Sequence, residues 1–306
     1  MKCPLCDCNE ARPFLIKGRG VLQFVFGVAL LECPRCHFGF ADFIHSQTIE
    51  YYYEHFCRQG EAKELADHLR LQAKENGQSQ VDTISQTLPP PYGKVLDFGG
   101  GNGEAARLYL SLAEEVYITE SDPRSIRKIR EESRLKVIET GQLMDDLYVG
   151  YFDLVIFSNV LEHMTHPIRR MNEFSRIIAP DGHLFVEIPN EYEVVKQTGA
   201  HANQHISFFS PDTFRLLLDR QGSFDIEDLR TCGAPLADVI ANHGLIHAFD
   251  KLDTPDGWVI RALLKNSRPE VKLREISIDV EEMRNSLVNL SQYIHMMASH
   301  QTKPLT

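Results

Sequence analysis

A glycine-rich segment at residues 94–104 constrains the fold of this chain more than any other feature; its sequence is Lys-Val-Leu-Asp-Phe-Gly-Gly-Gly-Asn-Gly-Glu. Residues 95–98 form a short apolar stretch typical of a buried strand, and residues 105–112 continue with helix-favouring side chains in an apolar periodicity. Open α/β sheets bind nucleotides where a strand turns through glycines into a helix. The segment therefore predicts an α/β fold with a nucleotide-like cofactor at this turn.

The spacing of the glycines discriminates between nucleotide cofactors. Gly99, Gly101 and Gly103 stand at alternate positions, whereas the dinucleotide fingerprint has glycines at its first, third and sixth positions. Glycine lets the backbone turn sharply and approach a ligand where a Cβ would collide. The next strand, residues 116–119, ends at Glu120, from which a carboxylate can accept hydrogen bonds from both ribose hydroxyls of an adenosine. We therefore expect an adenosine-containing cofactor other than a dinucleotide.

These residues and four later segments resemble the class I S-adenosylmethionine (SAM)-dependent methyltransferases, and the match covers about residues 50–265. Residues 141–143 correspond to the place where that family lays the adenine ring, and residues 152–163 to its fourth strand and following turn. Residues 177–190 are similar to its helix end, Pro-x-Gly turn and fifth strand, and residues 205–211 precede an amphipathic helix. The resemblance implies an α/β, Rossmann-like, seven-stranded methyltransferase sheet with helices on both faces.

The resemblance also implies SAM as the cofactor and a set of residues that bind it. These residues are Asp97, Phe98, Gly99, Gly100, Gly101, Gly103, Glu120, Ser121, Gln142, Leu143 and Asn159. A nucleotide-sugar oxidoreductase is the alternative for this region. It would need the dinucleotide spacing of glycines, together with a Tyr-x-x-x-Lys pair on a helix, and we expect neither in this chain.

Two Cys-x-x-Cys pairs at the amino terminus predict a metal site. Cys3 and Cys6 are separated from Cys33 and Cys36 by 26 residues, a spacing suited to tetrahedral zinc in a small ribbon. Such a ribbon has too little core to fold without metal, and four sulfur ligands leave no coordination position for water, so we expect structural Zn²⁺. Disulfides are the alternative, which a reducing cytoplasm disfavours. Cys8 could replace Cys6, but it does not mirror the second pair.

Composition and hydropathy narrow the class of protein. The chain has 306 residues and a formal net charge of −11, which disfavours nucleic acid as a partner because phosphate contacts need clustered Lys and Arg. No apolar stretch reaches the ~18 residues of a membrane span, and the start of the chain lacks the apolar core of a signal peptide. We therefore expect a cytoplasmic enzyme with no membrane partner.

The order of zinc ribbon and methyltransferase pattern resembles a bacterial group that includes C-methyltransferases of nucleotide-linked deoxysugars. In that group a Glu-His-x-x-Tyr-Phe-Ser motif supplies a histidine thought to remove the proton from the carbon to be methylated. Residues 204–210 match at His205 and Ser210, but Gln204 replaces the acid and Phe208 the tyrosine. Because of these departures, and because about forty residues follow the last predicted strand where that group has a large domain, the acceptor and the methylated atom stay open.

Two histidines are candidates for catalysis. SAM carries its own leaving group, so the protein must align the acceptor and exclude water, and a hydroxyl or enolisable carbon also needs a base near neutral pH. His205 follows strand five on the carboxyl side of the sheet, so it is either this base or a hydrogen-bonded anchor. His163, in Leu161-Glu162-His163, is mainly a structural or cofactor-orienting residue, with catalysis as the alternative.

The remaining segments complete the predicted organisation: a zinc ribbon at 1–45, a helical linker or cap at 46–92, the methyltransferase core at 93–267, and a C-terminal helix and tail at 268–306. Tyr51, Tyr52 and Tyr53 either form an aromatic lid over the cofactor or pack a linker helix. The C-terminal helix has an apolar stripe that covers either its own core or a second subunit in a homodimer.

The favoured function is SAM-dependent methyl transfer in a bacterial biosynthetic pathway. The expected acceptor is a small molecule, either a sugar, a lipid-linked intermediate or a secondary metabolite, methylated at oxygen or carbon. Two alternatives stay open: a protein or RNA methyltransferase guided by the zinc ribbon, and a non-catalytic SAM-binding regulatory or scaffold protein. The intact Asp97, glycines and Glu120 argue against the non-catalytic alternative, since loss of cofactor binding would remove the need for them.

Overall fold

The structure of the protein is a computed structural model. It describes residues 2–17, 20–21, 30–41, 63–131, 134–139, 142–143, 146–164, 166–200, 205–242 and 253–268. The three tyrosines at 51–53, the apolar stripe of the predicted C-terminal helix and Gln204 lie outside these residues.

Seven strands form the central sheet. They are β6 (Tyr92–Phe98), β7 (Ala113–Thr119), β8 (Leu135–Ile138), β9 (Phe152–Ser158), β10 (Ile178–Pro189), β12 (Phe224–Pro235) and β13 (Gly257–Asn266). The order across the sheet is β12-β13-β10-β9-β6-β7-β8. The pairs from β10 to β8 are parallel, whereas β13 is antiparallel to both of its neighbours. The sheet is therefore mostly parallel, as the resemblance implies.

Residue type explains why these segments form inner strands. In β9, Leu154 to Phe157 are fully buried without polar interruption, as expected for a parallel strand covered on both faces. The register places Asp97 opposite Ile118 of β7 and Ile156 of β9. The carboxyl ends of three neighbouring strands therefore meet at one edge, where open α/β sheets bind ligands.

Helices cover both faces of the sheet. They are α1 (Lys63–Thr87), α2 (Pro123–Arg130), α3 (Pro167–Ile177), α4 (Tyr192–Thr198), α5 (Pro211–Gln221) and α6 (Leu236–Ala241). Ile84 of α1 and Ile129 of α2 belong to one buried cluster, while Phe174 of α3 and Phe214 of α5 belong to another. None of the described helices is both long and apolar enough to cross a bilayer.

A buried polar network attaches α1 to the sheet. Arg261 of β13 donates to Glu187 of β10 at 2.7 Å and to Thr83 of α1 at 2.8 Å. Asn76 donates to Glu187 at 2.9 Å, and Gln80 donates to the hydroxyl of Ser158 at 2.8 Å. Because the buried charges are paired and hydrogen-bonded, their desolvation cost is offset.

The amino-terminal region forms a second sheet. Its strands are β1 (Arg12–Pro13), β4 (Leu30–Glu32), β5 (Gly39–Ala41) and β11 (Ser207–Phe208), in the order β1-β4-β5-β11 and antiparallel throughout. A small hairpin of β2 (Leu15–Ile16) and β3 (Gly20–Val21) lies beside it. Three strands of this sheet belong to the ribbon predicted at 1–45, and the fourth comes from the segment that follows His205.

Candidate active site and cysteine cluster

The glycine loop makes the sharp turn that its sequence predicts. Gly99, Gly101 and Gly103 have φ angles of +69°, +57° and +79°, in the left-handed region where an L-residue is strained by about 1–2 kcal/mol. The backbone N–H of Gly99 donates to the hydroxyl of Thr119 at 3.1 Å, so the loop lies against the end of β7. A Cβ added at Gly101 would meet no described atom within 4 Å, so this position opens onto the ligand side of the loop.

Asp97 lies beneath the loop and is almost fully buried. Burial and, to a smaller extent, the charge of Glu120 raise its pKa to about 7. Oδ2 of Asp97 has no hydrogen-bond partner among the described residues, and a Cβ at Gly100 would come within 2.5 Å of it. SAM carries a sulfonium and an ammonium, and a buried carboxylate with a spare acceptor matches a cationic ligand. The residues present therefore fit this cofactor.

Glu120 follows β7 and faces the glycine loop. Its carboxylate accepts hydrogen bonds from the backbone N–H groups of Gly101 at 2.9 Å, Ser121 at 2.6 Å and Asp122 at 2.8 Å. The hydroxyl of Ser121 also donates to Oε1 at 3.4 Å. Oε2 accepts the bond from Gly101, and because each carboxylate oxygen has about two acceptor sites, Oε2 has capacity for a ribose hydroxyl. Ribose binding by Glu120 stays a prediction.

The other expected cofactor contacts divide into buried and exposed residues. Phe98 and Leu143 belong to the hydrophobic core, so they support the site from behind. Gln142 is exposed after β8, and Asn159 is exposed after β9, where its amide donates to the hydroxyl of Ser158 at 3.2 Å. Ser121, directly after Glu120, is exposed as well, so three of the expected side chains are available to a ligand.

The two candidate histidines lie together at the same edge of the sheet. His163 ends the turn Leu161–His163 after β9, and His205 precedes β11. Their ring centroids are 4.9 Å apart with an interplanar angle of 70°. Nδ1 of His205 lies 2.5 Å from Oε2 of Glu191, and Oε1 of Glu162 lies 3.9 Å from Nε2 of each histidine. The structure therefore joins both predicted histidines to two carboxylates.

The surroundings of this group shift its protonation. Burial raises the pKa of Glu162 to about 7, and neither of its oxygens has a hydrogen-bond partner among the described residues. Burial alone would lower the pKa of His205, but the charge and hydrogen bond of Glu191, with the charge of Glu162, raise it overall. A proton taken up by His205 would therefore be stabilised by carboxylates on two sides.

Sequence reasoning missed the role of Glu191. It stands just after the carboxyl end of β10, and this position was the available signal. Gln204 replaces the acid of the family motif, which was a second reason to look for a carboxylate elsewhere. Glu162 was recognised as part of a motif, but the sequence assigned it no function.

A Tyr-x-x-x-Lys pair does occur, at Tyr192 and Lys196 of α4. The phenol and the ammonium lie 2.8 Å apart, but both donate to Glu32 of the amino-terminal sheet, and Tyr192 is buried. Its side chains are thus engaged away from the glycine loop, and the glycine spacing also differs from the dinucleotide pattern.

The four predicted cysteine ligands converge. Sγ of Cys3 lies 3.6 Å from Sγ of Cys36, Sγ of Cys6 lies 3.4 Å from Sγ of Cys33, and all four sulfurs lie within 4.8 Å of one another. Tetrahedral zinc with Zn–S bonds of about 2.3 Å separates its sulfurs by about 3.8 Å. A disulfide would need about 2.05 Å. The donor set and its spacing therefore fit Zn²⁺.

The two cysteine pairs share one backbone conformation. The N–H of Cys3 donates to the carbonyl of Cys8 at 2.8 Å, and the N–H of Cys33 donates to the carbonyl of Phe38 at 2.9 Å. Residues Asp7 and His37 then occupy the left-handed region, with φ of 62° and 58°. Cys8 thus corresponds to Phe38, outside the set of four converging thiols.

Comparison with known families decides the class. Residues 58–227, more than half of the chain, match the model of a methyltransferase domain family. The chain belongs to this family. Its methyltransferase domain has the class I fold of the SAM-dependent methyltransferases, and solved structures of such enzymes are similar to it.

Curated relatives match part of the core. The ubiquinone/menaquinone biosynthesis C-methyltransferase UbiE of Cupriavidus metallidurans is 32% identical over 115 residues, which are 35% of this chain and 47% of the relative. UbiE of Ralstonia pickettii is 31% identical over 112 residues, 34% of this chain and 46% of the relative. The chain thus spans about half of the length of the curated relatives it matches.

Solved structures show the same fold at low identity. A Burkholderia thailandensis 1,6-didemethyltoxoflavin-N1-methyltransferase, with bound 1,6-didemethyltoxoflavin and S-adenosylhomocysteine, is 14% identical with a TM-score of 0.52, covering 84% of this chain and 100% of that structure. A SAM-dependent methyltransferase of Thermotoga maritima is 16% identical with a TM-score of 0.50, covering 72% of this chain and 100% of that structure.

Proposed function

We propose that this methyltransferase transfers the methyl group of SAM to an oxygen or carbon atom of a small-molecule acceptor, with His205 as the general base. The observation that carries the proposal is the contact between Nδ1 of His205 and the carboxylate of Glu191, 2.5 Å apart at the ligand edge of the sheet. The expected acceptors are a sugar, a lipid-linked intermediate or a secondary metabolite of a biosynthetic pathway.

The glycine loop and its two carboxylates bind the cofactor in this proposal. Asp97 faces the cationic part of SAM, and Glu120 orders the loop and accepts from the ribose. Bound SAM supplies a reactive methyl and its own leaving group. The protein's task is then to hold the acceptor in line with the methyl and to exclude water.

His205 removes the acceptor proton. Glu191 accepts a hydrogen bond from Nδ1–H, which leaves Nε2 as the basic nitrogen of the neutral ring. When Nε2 takes a proton, Glu191 and Glu162 stabilise the resulting imidazolium. His163 packs edge-on against the His205 ring and restricts its orientation.

Carbon is the better supported of the two acceptor atoms. The curated relatives of the core are named C-methyltransferases, and they match at about 31–32% identity. Methylation at carbon needs removal of a proton from an enolisable position, which is the task assigned to His205. A hydroxyl acceptor would use the same base.

We further propose that Cys3, Cys6, Cys33 and Cys36 bind one structural Zn²⁺. Their sulfur separations of 3.4–3.6 Å support this, and four protein ligands leave no position for substrate. The expected content is one zinc per chain. A Cys33→Ser variant should lose this zinc. Metal that this variant retains would point to Glu162, His163 and His205, whose ligand atoms lie within 4.8 Å of one another, and would contradict the role of His205 as a base.

To test this proposal, purified protein is incubated with methyl-labelled SAM and, in turn, with each member of a panel of nucleotide sugars, quinone precursors and phenolic metabolites. S-adenosylhomocysteine release and label transfer are measured, and the product is analysed by mass spectrometry. His205→Ala should slow transfer about a hundredfold or more. His183→Ala, which removes a histidine paired with Glu227 away from the site, should leave transfer unchanged. Full transfer by His205→Ala would refute the proposed base.

A further inference from the structure

The segment that carries His205 is tied by its backbone to the amino-terminal sheet. In β11, Ser207 pairs with Phe40 and Phe208 pairs with Gly39. The N–H of Ala41 donates to the carbonyl of Ile206 at 2.8 Å, and the N–H of Ile206 donates to the carbonyl of Glu162 at 2.9 Å. The residue next to His205 therefore connects the ribbon on one side to the Glu162 turn on the other.

A buried side-chain network makes a second connection. Glu32 accepts hydrogen bonds from the phenol of Tyr192 at 2.5 Å and from the ammonium of Lys196 at 2.9 Å. Glu32 directly precedes Cys33, and Tyr192 directly follows Glu191, the partner of His205. The path from the cysteine cluster to Glu191 thus runs from Cys33 to the neighbouring Glu32, across one hydrogen bond to Tyr192, and on to the neighbouring Glu191.

The aromatic ring of Phe14 packs between the β5–β11 pairing and the Glu32–Tyr192 hydrogen bond. The ring of Phe14 lies edge-on to Tyr192 at 5.7 Å and to Phe208 at 6.0 Å. A Cβ at Gly39 would come within 2.5 Å of this ring, so β5 approaches it as closely as glycine permits. Close-packed interiors transmit small displacements, so a shift of the ribbon would reach Tyr192 and β11 together.

The cofactor half of the proposed site, which comprises Asp97 to Gly103 and Glu120, is not attached to the ribbon by comparable hydrogen bonds in the described part of the chain. Among the described residues, no hydrogen bond or ion pair joins the ribbon to Asp97, to the glycine loop or to Glu120. Those residues are held by strands β6 and β7, which belong to the central sheet. Within the described part of the chain, the hydrogen bonds of the ribbon to the proposed site therefore run through its acceptor half, which comprises Glu162, His163, Glu191 and His205.

We infer that the cysteine-bearing ribbon is a positioning element of the acceptor half, in which Glu32 and Tyr192 hold Glu191 and His205 in their working arrangement. This inference rests on the proposed role of His205 as the base. Metal binding at the four cysteines then orders the base without changing the affinity for cofactor. Glu32 and Tyr192 act through Glu191 and do not touch the reacting atoms.

Hydrogen exchange in the full-length, zinc-loaded protein with bound S-adenosylhomocysteine tests the inference without an acceptor. Glu32→Leu removes the acceptor of both hydrogen bonds and should speed amide exchange at residues 206–209 at least tenfold. Glu32→Gln keeps an acceptor oxygen, so amide exchange at residues 206–209 should stay as slow in this variant as in wild type. Exchange at residues 97–103 and the dissociation constant of S-adenosylhomocysteine should stay within about twofold of wild type.

Glu115→Leu is the matched control, since Glu115 also accepts from a tyrosine and a lysine, Tyr117 and Lys136, but at the far side of the central sheet. It should leave residues 206–209 unchanged. The ¹⁵N signals of His205 give a second measurement: in Glu32→Leu its pKa should fall, because the contact that raises it is loosened.

Removal of zinc by a chelator should reproduce the effect of Glu32→Leu on residues 206–209. Wild-type exchange and an unchanged His205 signal in Glu32→Leu would overturn the inference, as would a parallel loss of S-adenosylhomocysteine affinity. Failure of the proposed function is a separate result: it would appear as full methyl transfer by His205→Ala, which these measurements do not involve.

Discussion

The cofactor half and the acceptor half of the site are built in contrasting ways. The cofactor half, Asp97 to Gly103 with Glu120, belongs to two neighbouring strands and the turn between them, and it presents mainly backbone groups. The acceptor half comprises Glu162, His163, Glu191 and His205, which come from three separate segments and meet through side chains. A site made by one local turn can be recognised in a sequence, whereas a site made by tertiary contacts cannot.

Gly101→Val should produce the largest effect and break the cofactor half alone. The φ of +57° strains any branched residue, and the new side chain would enter the space that opens on the ligand side. We expect at least a hundredfold loss of S-adenosylhomocysteine affinity, about 2.7 kcal/mol, by calorimetry. Gly222→Val, with φ of +68° at the end of α5, carries similar strain away from the site and should bind normally. Unchanged affinity in Gly101→Val would remove the loop from the site.

His205→Ala should break the acceptor half alone. Turnover of the acceptor identified in the screen should fall about a hundredfold or more, because the general base is lost. The affinity for S-adenosylhomocysteine should stay within twofold, because the histidine lies outside the cofactor half. A parallel loss of affinity would show that the two halves are not separate.

Glu162→Gln should reveal the cost of burying a carboxylate in the acceptor half. Burial raises the pKa of Glu162 in the folded protein to about 7, so the folded state holds the protonated carboxyl more tightly than the unfolded state does. The resulting contribution to the free energy of unfolding is fully present below pH ~4.5 and is lost as the pH rises towards 7. The neutral amide should therefore stabilise the fold by about 3 kcal/mol at pH 8 and have no advantage at pH 4.

Thermal unfolding at several pH values checks this prediction. Glu114→Gln, which changes an exposed carboxylate, should show no such difference. A variant at Glu162 that is less stable than wild type at pH 8 would mean that this carboxylate has a partner in the folded protein.

Glu191→Gln should produce the smallest effect. Although burial lowers the pKa of His205, Glu191 raises it overall, so loss of its charge should lower that pKa. Only the neutral ring can accept a proton, so the acid limb of the kcat/KM profile should move to lower pH, and the maximal rate should fall about tenfold. An unmoved acid limb would assign the limb to a group other than His205.

Much of the fold could be predicted from local patterns. The apolar runs of β6 and β9, the glycines between strand and helix, and the Pro-x-Gly turn each have a physical requirement that a few adjacent residues reveal. The two Cys-x-x-Cys pairs could also be recognised locally, because two short repeats with thiols at a fixed spacing predict one shared metal site. These features predicted the mostly parallel sheet, the cofactor edge and the convergence of the four sulfurs.

The partner of His205 could not be predicted in the same way. Glu191 and His205 are separated by thirteen residues, and their contact at 2.5 Å depends on where β10 ends and where β11 begins. The attachment of the ribbon was equally hidden, because Ser207 and Phe208 join β5 across most of the length of the core. A strand of two residues is too short to show a periodicity in the sequence, so its pairing with β5 could not be predicted and is seen only in the folded structure.

The sequence by itself determined the class of enzyme, the cofactor and the cysteine cluster, because each depends on residues that are close together in the chain. The tertiary structure decided which carboxylates surround the candidate base and that the ribbon shares a sheet with the segment carrying it. The physical reason is the range of the interactions: backbone turns and thiol pairs act over a few residues. Buried hydrogen bonds such as Tyr192 to Glu32 join groups that only folding brings into contact.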